Sequence, residues 1–208
     1  MQHRATGSRS RILSGKIAPM TELWLIRHGE TDWNRDGLYQ GRADIPLNAN
    51  GLEQARATAE RICASGQTFA ALYSSPLSRA RQTAEETARQ LGLPVHFDPR
   101  LEEINQGEWT GKNYQAVVAQ FGDPRKVDGA RESTTSRAPG GESVVEVAQR
   151  LAAAAADIAA RHPGQKVLVF SHGLALATLH CTASGIPLEE VYHHIPHNGE
   201  MLIVHLGD

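Results

Sequence analysis

The tripeptide Arg27-His28-Gly29 places an arginine and a histidine directly after the apolar run 23–26. Such a run predicts a buried strand, so the histidine falls where a strand gives way to a loop. In an open α/β sheet, ligands bind at this position, outside the carboxyl ends of the strands. A histidine ring nitrogen can attack phosphorus and carry the phosphoryl group covalently, provided that cationic groups hold the phosphate oxygens in line with it. Arg27 is the first candidate for such a cation.

Three more segments carry the residue types that this chemistry needs. They are SSPLSRARQTA at 74–84, LEEINQGEWTG at 101–111 and VFSHG at 169–173. One short tripeptide recurs by chance, whereas four matches in one order, each at a predicted strand end or loop, form a specific pattern. In these four segments the chain resembles the histidine phosphatase superfamily, also called the phosphoglycerate mutase-like family. The resemblance runs from about residue 22 to residue 204 and implies an enzyme that forms a phosphohistidine.

The resemblance implies that His28 is the nucleophile and that Arg27, Arg79 and His172 hold the phosphate. For attack, one ring nitrogen of His28 must be unprotonated while the other donates a hydrogen bond that fixes the tautomer. Arginine suits the phosphate because its planar fork binds two oxygens at once and stays charged. At the start of the helix predicted to contain Arg79, free backbone N–H groups are expected to help hold the anion. The alternative for each histidine is a packed structural role, and the alternative for Arg79 is a solvated charge on a helix. That second alternative describes Arg81 better, because the family's phosphate-binding arginine directly follows Ser-Pro-x-Ser, where Arg79 stands.

Glu103 is expected to be the general acid that protonates the leaving oxygen and then, as a base, activates the water that cleaves the phosphohistidine. Glu102 and Glu108 compete for this role. The family's acid stands four residues before a glycine, which selects Glu103 ahead of Gly107. The other two glutamates are then solvated charges.

Further residues near the two histidines complete the predicted site. The resemblance suggests that Asn34, Gln40 and Gly41 contact phosphate oxygens through amides or backbone N–H groups. A hydrogen bond that orders the loop is an alternative role for Asn34 and Gln40. Gly173 is predicted to let the backbone approach a ligand closely.

Composition and charge narrow the class of protein. The chain has 208 residues, of which 40% are hydrophobic and 21% charged, values ordinary for one soluble α/β domain. A formal net charge of -2 provides no field that would gather nucleic acid or an anionic membrane, so neither is expected as a partner. The longest apolar stretch, 151–156, is far shorter than the roughly 20 residues that cross a bilayer. Two cysteines, Cys63 and Cys181, without CxxC spacing favour a reducing, cytoplasmic location.

His193, His194 and His197 at first suggest metal ligands. A single histidine-rich stretch lacks the carboxylate or cysteine partners and the spacing of a recognised site. Neither a metal nor a cofactor is therefore expected, and these histidines are predicted to line the mouth of the cleft.

The elements that position these residues follow from apolar periodicity. Strands are predicted at 22–26, 70–73, 166–170 and 201–204, and helices at 52–63, 77–91, 142–161 and 173–185. The continuous apolar run 166–170 is typical of a central parallel strand, and 201–204 is expected at an edge, antiparallel. The alternation predicts an α/β three-layer sandwich, with a doubly wound, mostly parallel sheet covered by helices on both faces.

Residues 20–208 are expected to form one domain with a cap inserted over the site. Residues 104–140 break the alternation and are rich in Gly, Pro, Ser and Thr, which is typical of a functional insertion. Residues 1–19 are basic and lack the apolar core of a secretory signal. A disordered extension, or a natural start at Met20, is favoured over a transit-like segment.

The predicted activity is hydrolysis of a small phosphomonoester. The alternatives are a bisphosphoglycerate-dependent phosphoglycerate mutase and a non-catalytic phosphate-binding domain, although a degenerate member would be expected to lack some of the site residues found here. Mutases of this family resemble one another in a longer cap with an adjacent arginine pair, and residues 107–141 contain no such pair. The substrate and a homodimeric assembly are left open, as is the orientation of the cap cations Lys112, Arg125, Lys126, Arg131 and Arg137.

Overall fold

The computed structural model describes residues 19–122 and 134–207, and within them five strands form one twisted sheet. Strands β1, β2, β4 and β3 run parallel to their neighbours, and β5 pairs antiparallel with β1 at one edge. The order across the sheet is β3-β2-β4-β1-β5. The predicted mostly parallel sheet with an antiparallel edge strand is therefore confirmed, and β3 is an additional strand. Their bounds are β1 (Thr21–Arg27), β2 (Ala71–Ser74), β3 (Val95–Phe97), β4 (Lys166–Ser171) and β5 (Met201–Leu206).

Helices cover both faces of this sheet because its central strands are apolar on both faces. Along β1, Leu23 and Leu25 join the core under α5 and α6, whereas Trp24 and Ile26 join the core under α2 and α3. This alternation follows from the two-residue period of a strand. The helices are α1 (Asp32–Arg35), α2 (Ala49–Ala64), α3 (Ser78–Leu91), α4 (Tyr114–Phe121), α5 (Val144–Arg161) and α6 (Gly173–Ser184). Three 3₁₀ turns lie at Pro99–Leu101, Gly107–Trp109 and Leu188–His194.

Local hydrogen bonds explain where the longer helices begin and end. Asn48 caps α2, its side chain accepting from the Gly51 amide at 2.8 Å. The capping box between Ser143 and Glu146 starts α5 at Val144, two residues later than predicted. Gly92 closes α3 with a φ of 68°, a left-handed conformation that glycine adopts without strain.

The described part of the predicted cap packs against the loop that follows β1. The Tyr39 amide donates to the Lys112 carbonyl at 2.9 Å, and the Gly111 amide donates to the Tyr39 carbonyl at 2.8 Å. The cap contains α4 and the turn Gly107–Trp109, neither of which was predicted. Residues 1–18 of the predicted extension lie outside the described residues, as do cap residues 123–133 with Arg125, Lys126 and Arg131.

Both cysteines lie in helices, as predicted, and have free thiols, with Cys63 exposed and Cys181 buried. Across residues 19–122 and 134–207, every helix is too short or too polar to cross a membrane.

Candidate active site

His28 and His172 directly follow the neighbouring parallel strands β1 and β4. Because Arg27 pairs in register with Ser171, the two histidines leave the sheet at the same edge. The His28 amide donates to the Ser171 carbonyl at 3.1 Å, and the two imidazole centroids are 5.1 Å apart. Both side chains are buried. The two histidines therefore lie side by side at the carboxyl edge of the sheet.

The tautomer of His28 follows from its contact with the next residue. Nδ1 lies 2.6 Å from the Gly29 carbonyl oxygen, which can only accept, so Nδ1 carries the proton and Nε2 keeps its lone pair. Burial, followed by the positive charges of Arg79 and Arg27, lowers the pKa of His28 well below its usual value. The ring is thus neutral at neutral pH, as a nucleophile must be.

Two guanidinium groups stand beside the histidines, that of Arg79 buried and that of Arg27 partly buried. Arg27 Nη1 donates to the Pro196 carbonyl at 2.7 Å, and Arg79 donates to the carbonyls of Ala43 and Gly41 at 2.7 and 2.8 Å. Burial lowers the pKa of both arginines, that of Arg79 to about 10, so both remain charged at neutral pH. Among the described residues, neither Nε has a hydrogen-bond partner, which leaves donor capacity for an anion.

The start of α3 differs from the prediction. The Asp44 carboxylate accepts from the Ser78 amide at 2.6 Å and from its hydroxyl at 2.9 Å. The amides of Ala80 and Arg81 donate to the Leu77 carbonyl. The amides of Ser78, Ala80 and Arg81 are thus occupied by acceptors of the protein and, contrary to the expectation, are not free to hold an anion. The Arg81 side chain is exposed, as expected for a solvated charge.

His172 is held by Ser75, whose Oγ lies 2.8 Å from Nε2. Burial lowers the pKa of His172, with further contributions from the charges of Arg79, His28 and Arg27, so this ring is also neutral at neutral pH. Its Nδ1 is buried and has no hydrogen-bond partner among the described residues.

The Glu103 carboxylate contacts the N-terminal end of α6. Its Oε1 accepts from the amides of Ile104 at 2.9 Å and Ala175 at 3.0 Å, and its Oε2 accepts from the Leu174 amide at 3.2 Å. These three donors hold the carboxylate in one orientation. Of the three candidate glutamates, Glu103 lines the cleft, whereas Glu102 forms an ion pair with Arg42 and Glu108 is exposed.

A cleft of about 540 Å³ collects the predicted site residues. His172 is the exception, since it is fully buried and packs against the ring of His28. The predicted residues in the lining are Arg27, His28, Asn34, Gln40, Gly41, Arg79, Glu103 and Gly173.

The remaining predicted binding residues have defined local roles. Asn34 Oδ1 accepts from the Thr31 amide and hydroxyl at 3.2 and 3.1 Å, which is the loop-ordering alternative. Gln40 is buried, and its Oε1 has no partner among the described residues. A Cβ on Gly173 would lie 3.2 Å from the Arg27 Cζ. It would also lie 3.0 Å from Ile195 Cγ2, so the close neighbours of this glycine are the side chains of Ile195 and Arg27, whereas close approach to a ligand was predicted.

The outer wall of the cleft was missed by sequence reasoning. It is apolar and aromatic, and its members include Leu38, Tyr39, Trp109, Tyr114, Leu174, Tyr192 and Ile195. The three residues per turn of a 3₁₀ helix bring Tyr192 and Ile195 to one side of their turn. The prediction that His193, His194 and His197 line the cleft is therefore wrong. The clustering of aromatic residues in the predicted cap was the available signal.

Two of the predicted cap cations, Arg137 and Lys112, belong to the described residues. Arg137 lines the cleft and forms an ion pair of 2.9 Å with Glu146, whereas Lys112 lies over the Phe121 ring, 5.8 Å from its centroid.

Within the part of the chain that the structure describes, no three His, Cys, Asp or Glu side chains converge on a position that could hold a metal ion.

Comparisons with known proteins identify the family of this chain and several similar proteins. Residues 23–208 match the family model of the histidine phosphatase superfamily, branch 1. The chain is 37% identical over 170 residues to the probable phosphoglycerate mutase GpmB of Escherichia fergusonii, covering 81% of this chain and 77% of that protein. It is similar to mycobacterial glucosyl-3-phosphoglycerate phosphatase in complex with VO3, at 30% identity, a TM-score of 0.77 and coverage of 88% and 90%. It is also similar to the α-ribazole phosphatase of Shigella flexneri, at 29% identity, a TM-score of 0.75 and coverage of 88% and 89%.

The lowered pKa of His28 predicts a pH dependence of stability. Below about pH 6.5 the unfolded chain protonates this histidine while the native state keeps it neutral, so the unfolded state binds more protons. The free energy of unfolding therefore falls as pH falls from about 6.5 towards the native pKa, and His28 contributes a slope of up to about 1.4 kcal/mol per pH unit. His28→Gln should reduce the slope by that amount in denaturant titrations. The exposed His193→Gln is the matched control, and equal slopes in wild type and His28→Gln would refute the assignment.

Proposed function

The chain belongs to the histidine phosphatase superfamily, branch 1, and from that premise we propose that it hydrolyses a small phosphomonoester through a phosphohistidine at His28. The observation that carries the proposal is a neutral His28 whose Nδ1 is committed to the Gly29 carbonyl, in a cleft that also holds Arg27, Arg79 and Glu103. This arrangement combines a nucleophile, two fixed positive charges and a carboxyl group in one space.

In the first step, Nε2 of His28 attacks phosphorus and the bond from phosphorus to the ester oxygen breaks. Arg27 and Arg79 neutralise charge on the non-bridging oxygens and, being held by backbone carbonyls, need no reorganisation as the charge moves. Glu103 gives its proton to the departing oxygen, and the alcohol leaves. If the Ser75 hydroxyl donates to Nε2 of His172, then Nδ1 of His172 carries the proton and is the donor to a phosphate oxygen.

In the second step, water attacks the phosphohistidine. The Glu103 carboxylate takes a proton from this water, the bond from phosphorus to Nε2 breaks, and inorganic phosphate is released. The histidine returns to its neutral form and Glu103 is again protonated, so the cycle closes without another reactant.

Hydrolysis is favoured over phosphoryl transfer between two positions of one substrate. A mutase must also hold a carboxylate and a second phosphate. In the described lining, the wall beyond Arg27 and Arg79 is mainly apolar, and its further cation, Arg137, is already paired with Glu146. A phosphoglycerate mutase remains the second candidate because of the similarity to the probable mutase GpmB.

His28→Ala is expected to abolish turnover, because no other group in the proposed mechanism can take the phosphoryl group. Wild-type enzyme mixed with substrate and quenched in alkali should carry acid-labile phosphate, and the variant should carry none. His193→Ala should behave as wild type. Full activity of the His28→Ala variant would exclude the mechanism.

Glu103→Gln is expected to lower kcat/KM by roughly 10²–10⁴-fold for an alkyl phosphate, whose leaving oxygen needs a proton, and far less for a nitrophenyl phosphate. Glu102→Gln, at the neighbouring residue paired with Arg42, is the control. If Glu102→Gln showed the dependence on leaving group and Glu103→Gln did not, the acid would be Glu102.

One preparation should release phosphate from monoesters without bisphosphoglycerate, because water can complete the cycle. Phosphate release and primed isomerisation of phosphoglycerate should be assayed side by side. Efficient isomerisation with negligible phosphate release would show that the mutase is the correct alternative.

A further inference from the structure

Arg150 of α5 lies away from the reacting groups, yet it contacts the segment that carries Glu103. Its Nη1 donates to the carbonyls of Arg100 at 2.8 Å and Glu102 at 2.6 Å. Its Nη2 donates to the Glu103 carbonyl at 3.0 Å, and Nε and Nη2 bind the two carboxylate oxygens of Glu142, each at 3.0 Å. A guanidinium has five N–H groups, so these five bonds use its full donor capacity.

Glu142 ties this arginine to the same segment from the other side. Its carboxylate accepts from the Asn105 amide at 2.8 Å and forms an ion pair with Arg42 at 3.0 Å. Burial alone would raise the pKa of Glu142, but the bonds from Arg150 and Asn105, with the charges of Arg150 and Arg42, lower it. Glu142 therefore stays ionised and bound.

The segment that carries Glu103 has little regular structure of its own. Residues 103–106 lie between the 3₁₀ turns Pro99–Leu101 and Gly107–Trp109 and belong to no helix or strand. Glu103 is held at its carboxylate by the amides at the start of α6 and at its main chain by Arg150. Its position relative to His28 thus depends on these two contacts.

On the basis of the proposed function, we propose that Arg150, bound by Glu142, is the positioning residue that keeps Glu103 at the distance from the leaving oxygen at which it can transfer a proton. Misplacement of a reacting group by about 1 Å can cost about 100-fold in rate. Lysine cannot replace this arginine, because it has one point charge and three donors where five directed donors are in use.

The test compares Arg150→Lys with wild type on an alkyl phosphate and a nitrophenyl phosphate. We expect kcat/KM to fall about 10- to 100-fold for the alkyl ester and to change by less than about 3-fold for the nitrophenyl ester. Asp157→Asn is the matched control, because it removes the ion pair between Asp157 of α5 and Arg100, 2.7 Å long, and leaves Arg150 untouched. This control should match wild type on both esters.

A double variant separates positioning from general damage. In the Glu103→Gln background, Arg150→Lys should cause no further loss with the alkyl ester, because the group that it positions is gone. An equal loss on both esters, or a full further loss in the double variant, overturns the proposal. If Arg150→Lys does not fold, Glu142→Gln is expected to show the same preferential loss on the alkyl ester, and an equal loss on both esters overturns the proposal.

Failure of this inference differs from failure of the proposed function. If Glu103→Gln shows no dependence on leaving group, Glu103 is not the acid and the positioning role falls with that assignment, whereas hydrolysis through a phosphohistidine at His28 is tested separately by His28→Ala. If Glu103→Gln shows the dependence and Arg150→Lys loses equally on both esters, only the positioning role falls.

Discussion

The removal from water of the Arg79 guanidinium, and in part of the Arg27 guanidinium, at the carboxyl edge of the sheet is the constraint on which the rest of the site depends. Arg79 is almost completely buried, and removing such a charge from water costs several kcal/mol unless other groups offset it. The carbonyls of Gly41 and Ala43 and the charge of Glu103 offset part of this cost. A phosphate dianion would offset more. The same positive charges help to keep His28 neutral, so in the proposed mechanism one electrostatic arrangement would both bind the anion and preserve the nucleophile.

Parallel strand pairing supplies the rest of the geometry. Because β1 and β4 are neighbours in register, the residues that follow them emerge together, and two histidines far apart in sequence become a contacting pair. The positive end of the α6 dipole is directed at the Glu103 carboxylate, so this helix holds the proposed acid, and the proposed phosphate ligands are the two arginines. The sheet therefore places His28, the proposed nucleophile, and an irregular segment bound to α6 and α5 places Glu103, the proposed acid.

Elements with a strong local pattern were predictable. The continuous apolar run of β4 and the alanine-rich α5 are long enough for their periodicity to be clear, and their bounds differ from the predictions by one or two residues at most. Strand β3 was missed because it has three residues, two of them exposed, and takes its conformation from pairing with β2. Helix α4 was missed because it belongs to a cap that buries only Val117 along its length.

The sequence by itself determined the order of strands and helices, the strand-end positions of His28 and His172, and, through a family resemblance, the identity of the other expected site residues. Only the tertiary structure decided which glutamate reaches the cleft, because adjacent glutamates differ only in what they contact across the fold. It also decided that Arg150 contacts the segment that carries Glu103, through hydrogen bonds that span 47 to 50 residues of sequence. Local patterns reflect the chain's own backbone preferences and burial, whereas such contacts exist only after the layers have packed.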